Sequence, residues 1–247
     1  MVVAQNIRCS HCGAPVEFKP SDLISTCTYC GFTVIIETGK PFNFQHSMLL
    51  NKYGNEKIEA TIRQWMTSGF LKPPNLNQKS KFLESDLIYI PFWVVSILSK
   101  TVYNGIFERF SPPVVKEGEI QKEYNWLVLA RETTDFPTRE YNIPIEGKIP
   151  YDFRKIEKFA MIINSEVSRE EAISIAKQDI ETHHHYLMLQ NVDRIIEMKT
   201  IHTISQVIYL HTPIWFVKYE FKNKTFNLII DGVTGIILKG DIPEYKF

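Results

Sequence analysis

The sequence predicts an α+β chain, and three observations carry the prediction. Two Cys-x-x-Cys pairs stand within the first 30 residues, two later segments carry helical apolar stripes with end signals, and a series of β-branched and aromatic runs is separated by short turns. Together they divide the 247 residues into a cysteine module over 1–40, a middle α+β unit over 41–150, and a helix followed by antiparallel sheet over 151–247.

Composition narrows the function classes. An apolar fraction of 44% and an aromatic fraction of 13% belong to a globular chain with a real core. Twenty-eight basic residues cancel twenty-eight acidic ones, so no global field draws in nucleic acid or an anionic membrane. The opening residues lack the apolar run of a secretory signal. The longest apolar stretch, Leu87 to Leu98, is interrupted by Pro91 and Ser96 and is shorter than the ~20 residues a bilayer needs. All four cysteines lie in the module, which leaves none for a disulfide elsewhere. A cytoplasmic protein without a transmembrane segment is the expectation.

The module reads Cys9-Ser-His-Cys12-Gly13 and, fourteen residues on, Cys27-Thr-Tyr-Cys30-Gly31. Two residues between paired cysteines bring both thiolates to one ion from a single tight turn, and two such turns complete a tetrahedral shell. The glycine after each pair accepts the positive φ that such a turn requires. Pro15 to Phe18 and Ile24 to Thr26 are expected to pair as strands about Pro20-Ser21-Asp22, with Phe32 to Ile36 as a third. The expected ligands are Cys9, Cys12, Cys27 and Cys30, and the expected cofactor is a structural Zn2+, although tetrahedral sulfur suits iron as well. His11 sits inside the first knuckle and is expected at the surface. The segment resembles the zinc ribbons of transcription and translation factors, including the N-terminal ribbon of transcription factor IIB-type proteins. Its basic residues Arg8, Lys19 and Lys40 are matched by Glu17, Asp22 and Glu37. A neutral ribbon points to a protein contact before a nucleic-acid one.

After a link at Pro41, a helix is expected from Asn55 as N-cap to Ser68, with Gly69 at C′ and Ile58, Ile62, Trp65 and Met66 on one core-facing stripe. Leu87 to Val95 reads as a buried strand bent at Pro91, an edge or a bulge, continuing through Val102 and Ile106. Tyr124 to Leu129 reads as another strand, and the stretch from Phe110 to Glu119 as an exposed turn. A cysteine module followed by Tyr89-Ile90-Pro91-Phe92-Trp93 resembles a family of uncharacterised prokaryotic and archaeal zinc-ribbon proteins. Phe92 and Trp93 are expected to fill a core before they form a recognition surface.

In the last third, Ser168 caps a helix with Glu171 completing a capping box and Val167 stapling to Ala172. Ala172, Ile173, Ala176 and Ile180 give it an apolar stripe, and the helix is expected to reach about Leu187 or Leu189. Strands are expected over 194–205, 208–212, 214–221, 225–231 and 236–239, with tight turns at Lys222-Asn223-Lys224 and Asp231 to Gly235. A Ser-x-Glu-Glu-Ala helix start, the strand Pro213-Ile214-Trp215-Phe216-Val217 and Asp231-Gly232-x-Thr234-Gly235 together resemble PepSY-type domains over about 165–243. That resemblance implies a helix on an antiparallel sheet and protein binding.

His183-His184-His185 cannot converge on one metal, because consecutive helical residues point about 100° apart. An incidental, partly exposed cluster is expected. No phosphate-binding glycine loop, nucleophile elbow or His-Glu-x-x-His pattern occurs. The expectation is a non-enzymatic zinc-binding adaptor with a protein partner. The alternative is a nucleic-acid-associated factor of transcription or the ribosome.

Overall fold

A computed structural model describes residues 5–36, 45–69, 72–109, 111–131, 136–137 and 141–244. The expected link at Pro41 and Phe110 of the expected turn lie outside the described residues. The chain opens with two separate antiparallel hairpins, β1 (Gln5–Arg8) with β2 (Pro15–Phe18), and β3 (Ile24–Thr26) with β4 (Thr33–Ile35). The expected pairing of 15–18 with 24–26 does not form. Each Cys-x-x-Cys pair is itself a turn, so each closes its own hairpin.

There follow β5 (Gln45–Met48), α1 (Asn55–Thr67), α2 (Leu76–Lys79), β6 (Lys81–Phe107), β7 (Val114–Leu129), β8 (Ile149–Pro150), β9 (Met161–Ile162), α3 (Arg169–Met188), β10 (Arg194–Phe221), β11 (Lys224–Asp231) and β12 (Ile237–Gly240). All eight strands from β5 onward belong to one mixed sheet. Its central run is β12-β11-β10-β6-β7; β5 and β9 add parallel to β10 and β6, and β8 pairs with β5.

The expected fold class, α+β with a zinc ribbon and a PepSY-like helix-on-sheet unit at the end, is corrected. The chain is mostly sheet, 47% strand against 20% helix, with three helices among the described residues. The cause lies in two strands far longer than their sequence runs suggest. Residues 194–221 form one strand and not three, because bulges at 195–197, 204–206 and 218–219 absorb the irregularities without ending it. Pro91 lies inside β6 and not at an edge, opposite His211 of β10.

Repeated hydrogen bonding explains how a proline sits there. Pro91 accepts the Ala130 N–H at 3.0 Å, just past the end of β7. The residues of a hydrogen-bonded antiparallel pair exchange two bonds, but proline has no N–H to return. The Ala130 carbonyl is left to accept the Glu166 N–H at 2.8 Å. The same device recurs at Pro213, which accepts the Gly232 N–H at 2.9 Å while the Gly232 carbonyl accepts the Lys52 N–H at 2.8 Å.

These pairs belong to an internal pseudo-twofold repeat of strand, helix, strand, strand. β5–α1–β6–β7 is one copy and β9–α3–β10–β11 the other. The parallel ladders match, with Met161 and Ile162 against Ile88 and Tyr89 in one place and Ser47 and Met48 against Leu210 and His211 in the other. The Ile163 N–H bonds to Tyr89 O as the Leu49 N–H bonds to His211 O. Buried helix positions match as well, Ile58, Ile62 and Met66 in α1 against Ala172, Ala176 and Ile180 in α3. The axis passes through the Ile90–Thr212 pair, from which the repeated sequences Pro91-Phe92-Trp93-Val94-Val95 and Pro213-Ile214-Trp215-Phe216-Val217 run in opposite directions.

Each helix packs on the strands of the other copy. α1 covers Trp215, Val217, Tyr219, Leu228 and Ile230, and α3 covers Trp93, Val95, Ile97, Tyr124 and Val128. On the far face, Phe136, Tyr141 and Ile143 close a third cluster over Ile90, Phe92, Val94, Leu210 and Ile214. Helix ends follow local chemistry. Ser168 caps α3 by accepting the Glu171 N–H, while Gly54 rather than Asn55 is the N-cap of α1 and Gly69 follows it at φ 100°. No helix among the described residues is long and apolar enough to cross a membrane.

Both tryptophans of the repeat are fully buried and donate their indole N–H, Trp93 to Val167 O at 2.9 Å and Trp215 to Asn51 Oδ1 at 3.2 Å. Trp93→Phe and Trp215→Phe are each expected to lower unfolding stability by about 1–3 kcal/mol, through a cavity plus the loss of one buried hydrogen bond. Urea denaturation checks this; two neutral variants would refute the buried anchoring role, and a loss at one site alone would refute the equivalence of the sites.

Candidate metal centre and its docking face

The two knuckles are built alike. The Cys9 N–H donates to Ala14 O and the Cys27 N–H to Phe32 O, while the Gly13 and Gly31 N–H groups donate to Cys9 O and Cys27 O, each at 2.8 Å. Gly13 and Gly31 have φ of 73° and 74°. Gly31 faces a second constraint, because a Cβ there would stand 2.2 Å from Phe153 Cβ.

The sequence-derived ligand set converges. The four sulfurs of Cys9, Cys12, Cys27 and Cys30 lie within 4.8 Å of one another, with Cys9–Cys30 at 3.6 Å and Cys12–Cys27 at 3.8 Å. Bonds of about 2.3 Å from a tetrahedral ion to sulfur set neighbouring sulfurs about 3.8 Å apart, so the cluster has the dimensions to hold a metal ion. Electrostatics agree. Burial pushes the Cys9 thiol up, but the Cys12 and His11 backbone groups and the neighbouring thiols outweigh it and bring it down to about 7. Burial and the three other sulfurs push Cys30 up to about 12. Thiols this close cannot all ionise against each other; a cation among them removes the conflict. His11 is exposed and stacks on Phe32 at 5.2 Å, outside the sulfur cluster.

The second hairpin is docked on the sheet. Leu23 and Ile24 donate to Ser165 O and Ile24 O accepts the Ser165 N–H, so β3 is stitched to the segment before α3. Ile24 enters the core beside Trp93. Asp22, nearly fully buried, pairs with Arg131 at 3.2 Å and accepts from Asn164 at 2.8 Å, and Arg131 also meets Glu166 at 3.3 Å.

Beneath it runs a buried polar chain. Thr26 Oγ1 and Thr33 Oγ1 are 3.2 Å apart, Thr33 meets His46 Nδ1 at 3.3 Å, and His46 Nε2 meets His211 Nδ1 at 2.9 Å. Tyr151 stacks on His46 at 3.9 Å. Burial drives His46 well below its ordinary value, with His211 adding repulsion. Burial likewise takes His211 down to about 4, the Ile163 backbone opposing in part.

Other sequence candidates fall elsewhere. Phe92 and Trp93 are fully buried core residues, and Trp65 is partly buried under the Lys72 ammonium. The histidine run is partly exposed as expected, with His185 exposed and His183 half-buried, but its middle member is not incidental. His184 is fully buried, bonded to Thr101 Oγ1 at 2.7 Å and to the Tyr124 hydroxyl at 2.8 Å. Burial lowers its pKa, with His183, His202 and Lys122 adding to the effect. It continues the stripe Ala172, Ala176, Ile180 at the same spacing, which is the signal that places it in the core. His46 and His211 carry no comparable signal, since each is a single histidine in a β-run.

No protein-family model, curated protein or solved structure matches this chain.

A depressed histidine binds its proton less readily folded than unfolded. Stability is therefore full above pH ~6.5 and is lost as pH falls towards the folded value. His211 alone is expected to remove roughly 3 kcal/mol between about pH 6.5 and 4, with His46 and His184 adding in the same direction. Urea unfolding across this window checks it; a flat free energy would rule out buried neutral imidazoles.

Proposed function

We propose that the chain is a non-enzymatic adaptor that holds one structural zinc ion through Cys9, Cys12, Cys27 and Cys30 and binds a protein partner. The observation that carries this reading is the convergence of four cysteine sulfurs within 4.8 Å of one another. Four thiolates leave no coordination position for water or substrate, so an ion held there organises the chain and performs no chemistry. The docked hairpin supports a structural role for the ion, because ordering the knuckle orders Ile24 and Asp22, which anchor in the core and on Arg131. Thiol ligation suits a reducing compartment, which supports a cytoplasmic setting. Balanced charge supports a protein partner over nucleic acid.

Metal analysis of the purified chain is expected to return one zinc per chain, and an equimolar iron content would replace zinc by iron in the same shell. Cys27→Ser is expected to lose the metal and to lower the melting temperature of the whole chain, since the site it disrupts is joined to the sheet. An unchanged melting temperature would mean that the module folds without consequence for the sheet. Native pull-down with nuclease is expected to retain a partner. Loss of all partners with nuclease, together with binding that weakens steeply with salt, would instead favour a nucleic-acid-associated factor.

A further inference from the structure

The pseudo-twofold repeat also isolates what it does not cover. β7 has 16 residues where its counterpart β11 has 8, and α3 has 20 where α1 has 13. The excess builds a three-stranded arm, order β10-β6-β7, from residues 194–206, 96–107 and 114–125. One face lies under α3, where Ile97, Ser99, Thr101 and Tyr103 are buried and His184, Met188 and Val192 pack.

The other face is open. Leu98 and Val102 of β6 are 38% and 43% exposed, and Ile201 of β10 is 58% exposed. Cross-strand register puts Ile201 beside Lys100, and puts Glu117, Glu119 and Glu123 of β7 beside Asn104, Val102 and Leu98. Glu197 flanks Asn104 from the β10 side. The face therefore carries an aliphatic stripe bordered by Glu117, Glu119, Glu123 and Glu197, against Lys100, Lys199 and, at its outer edge opposite Ile106, Arg194, which is paired with Glu108 at 3.7 Å. Lys100 is already paired with Glu119 at 2.9 Å. A concavity of about 490 Å³ lies at its outer end, between Val102, Asn104, Glu117, Glu119, Glu197 and Lys199.

We propose that this open arm face docks a basic amphipathic segment of a partner protein, its aliphatic side chains on Leu98, Val102 and Ile201 and its lysines or arginines along the glutamate column. The occupant follows from charge. Acidic groups outnumber basic ones on the face although the chain as a whole is neutral, so a cationic segment is attracted and a polyanion is repelled. Apolar contact supplies affinity and the glutamates supply orientation. The inference rests on the adaptor reading and names the chemistry of its partner.

The test uses the full metal-loaded chain and two fluorescein-labelled peptides, one alternating lysine with leucine and one alternating glutamate with leucine. The lysine peptide is expected to bind with an affinity that falls as salt rises, and the glutamate peptide at least about tenfold more weakly. The triple variant E117K/E119K/E197K is expected to lose about tenfold for the lysine peptide, with its circular dichroism unchanged because all three positions are exposed. Glu170→Lys, exposed and off the arm, is expected to bind as the parent does. Equal binding of the two peptides, no binding of the lysine peptide, or binding untouched by the triple variant would overturn the assignment. A nuclease-resistant native partner held equally by parent and triple variant would place docking elsewhere while leaving the adaptor reading standing.

Discussion

Antiparallel pairing of β6 with β10 across the Ile90–Thr212 axis is the constraint on which the rest of the structure depends. At the axis both strands are covered on two faces, so their sequences run as continuous apolar and aromatic stretches without clean alternation. Because α1 lies largely on β10 and β11 while α3 lies largely on β6 and β7, neither half contains all the partners of its own helix. The core is assembled only when strands more than a hundred residues apart meet. Such non-local pairing makes closure the slow, entropically costly part of folding and makes the central ladder the common support of both helices.

The cysteine module is added to this support as a wedge whose contacts combine an apolar anchor with a polar chain. Ile24 supplies the buried area, while Asp22, Arg131 and Asn164 fix its orientation through directional bonds. Thr33, His46 and His211 extend those bonds into the sheet. Buried polar groups of this kind add little net stability and penalise misplacement heavily, because a slipped register leaves each of them unpaired. The hairpin is therefore positioned as well as attached, and an ion held by the four sulfurs would stabilise a placement that the sheet already specifies.

Much of this is legible in the sequence at the local level. The cysteine spacing picks out the sulfur cluster residue by residue, and Ser168, Gly69 and the Lys222-Asn223 turn declare their own ends. Strand continuity is not local. Nothing within residues 194–221 announces that bulges near Ile196 and Ser205 are bridged by a partner strand, so the run reads as several strands. The duplication is visible in principle, since Pro-x-Trp-x-Val occurs at both Pro91 and Pro213. Only three identities within five positions carry it, however, and the surrounding residues have diverged with their environments. His184 is recoverable from periodicity; the His46–His211 pair is not, because a contact between residues 165 apart leaves no mark on either neighbourhood.

Where the two halves differ is informative in its own right. Ser165 and Asn51 occupy equivalent places and make equivalent turn bonds, to Val167 O and Tyr53 O, yet only the Ser165 backbone is paired with Ile24 of the module. Arg131 and Val233 each follow the residue that bonds to a repeat proline. Arg131 holds Asp22 of the module, whereas Val233 is buried in the far-face core. Tyr89 and His211 are equivalent on the long strands. Tyr89 donates to Glu157, and His211 is bonded to His46, which in turn meets Thr33 of the module. Three departures from twofold equivalence thus converge on one object. A symmetric sheet offers two equal seats, and a single hairpin can occupy only one of them. The substitutions that distinguish the seats are therefore those that recognise the hairpin, and the rest of the repeat is free to keep the packing both halves share.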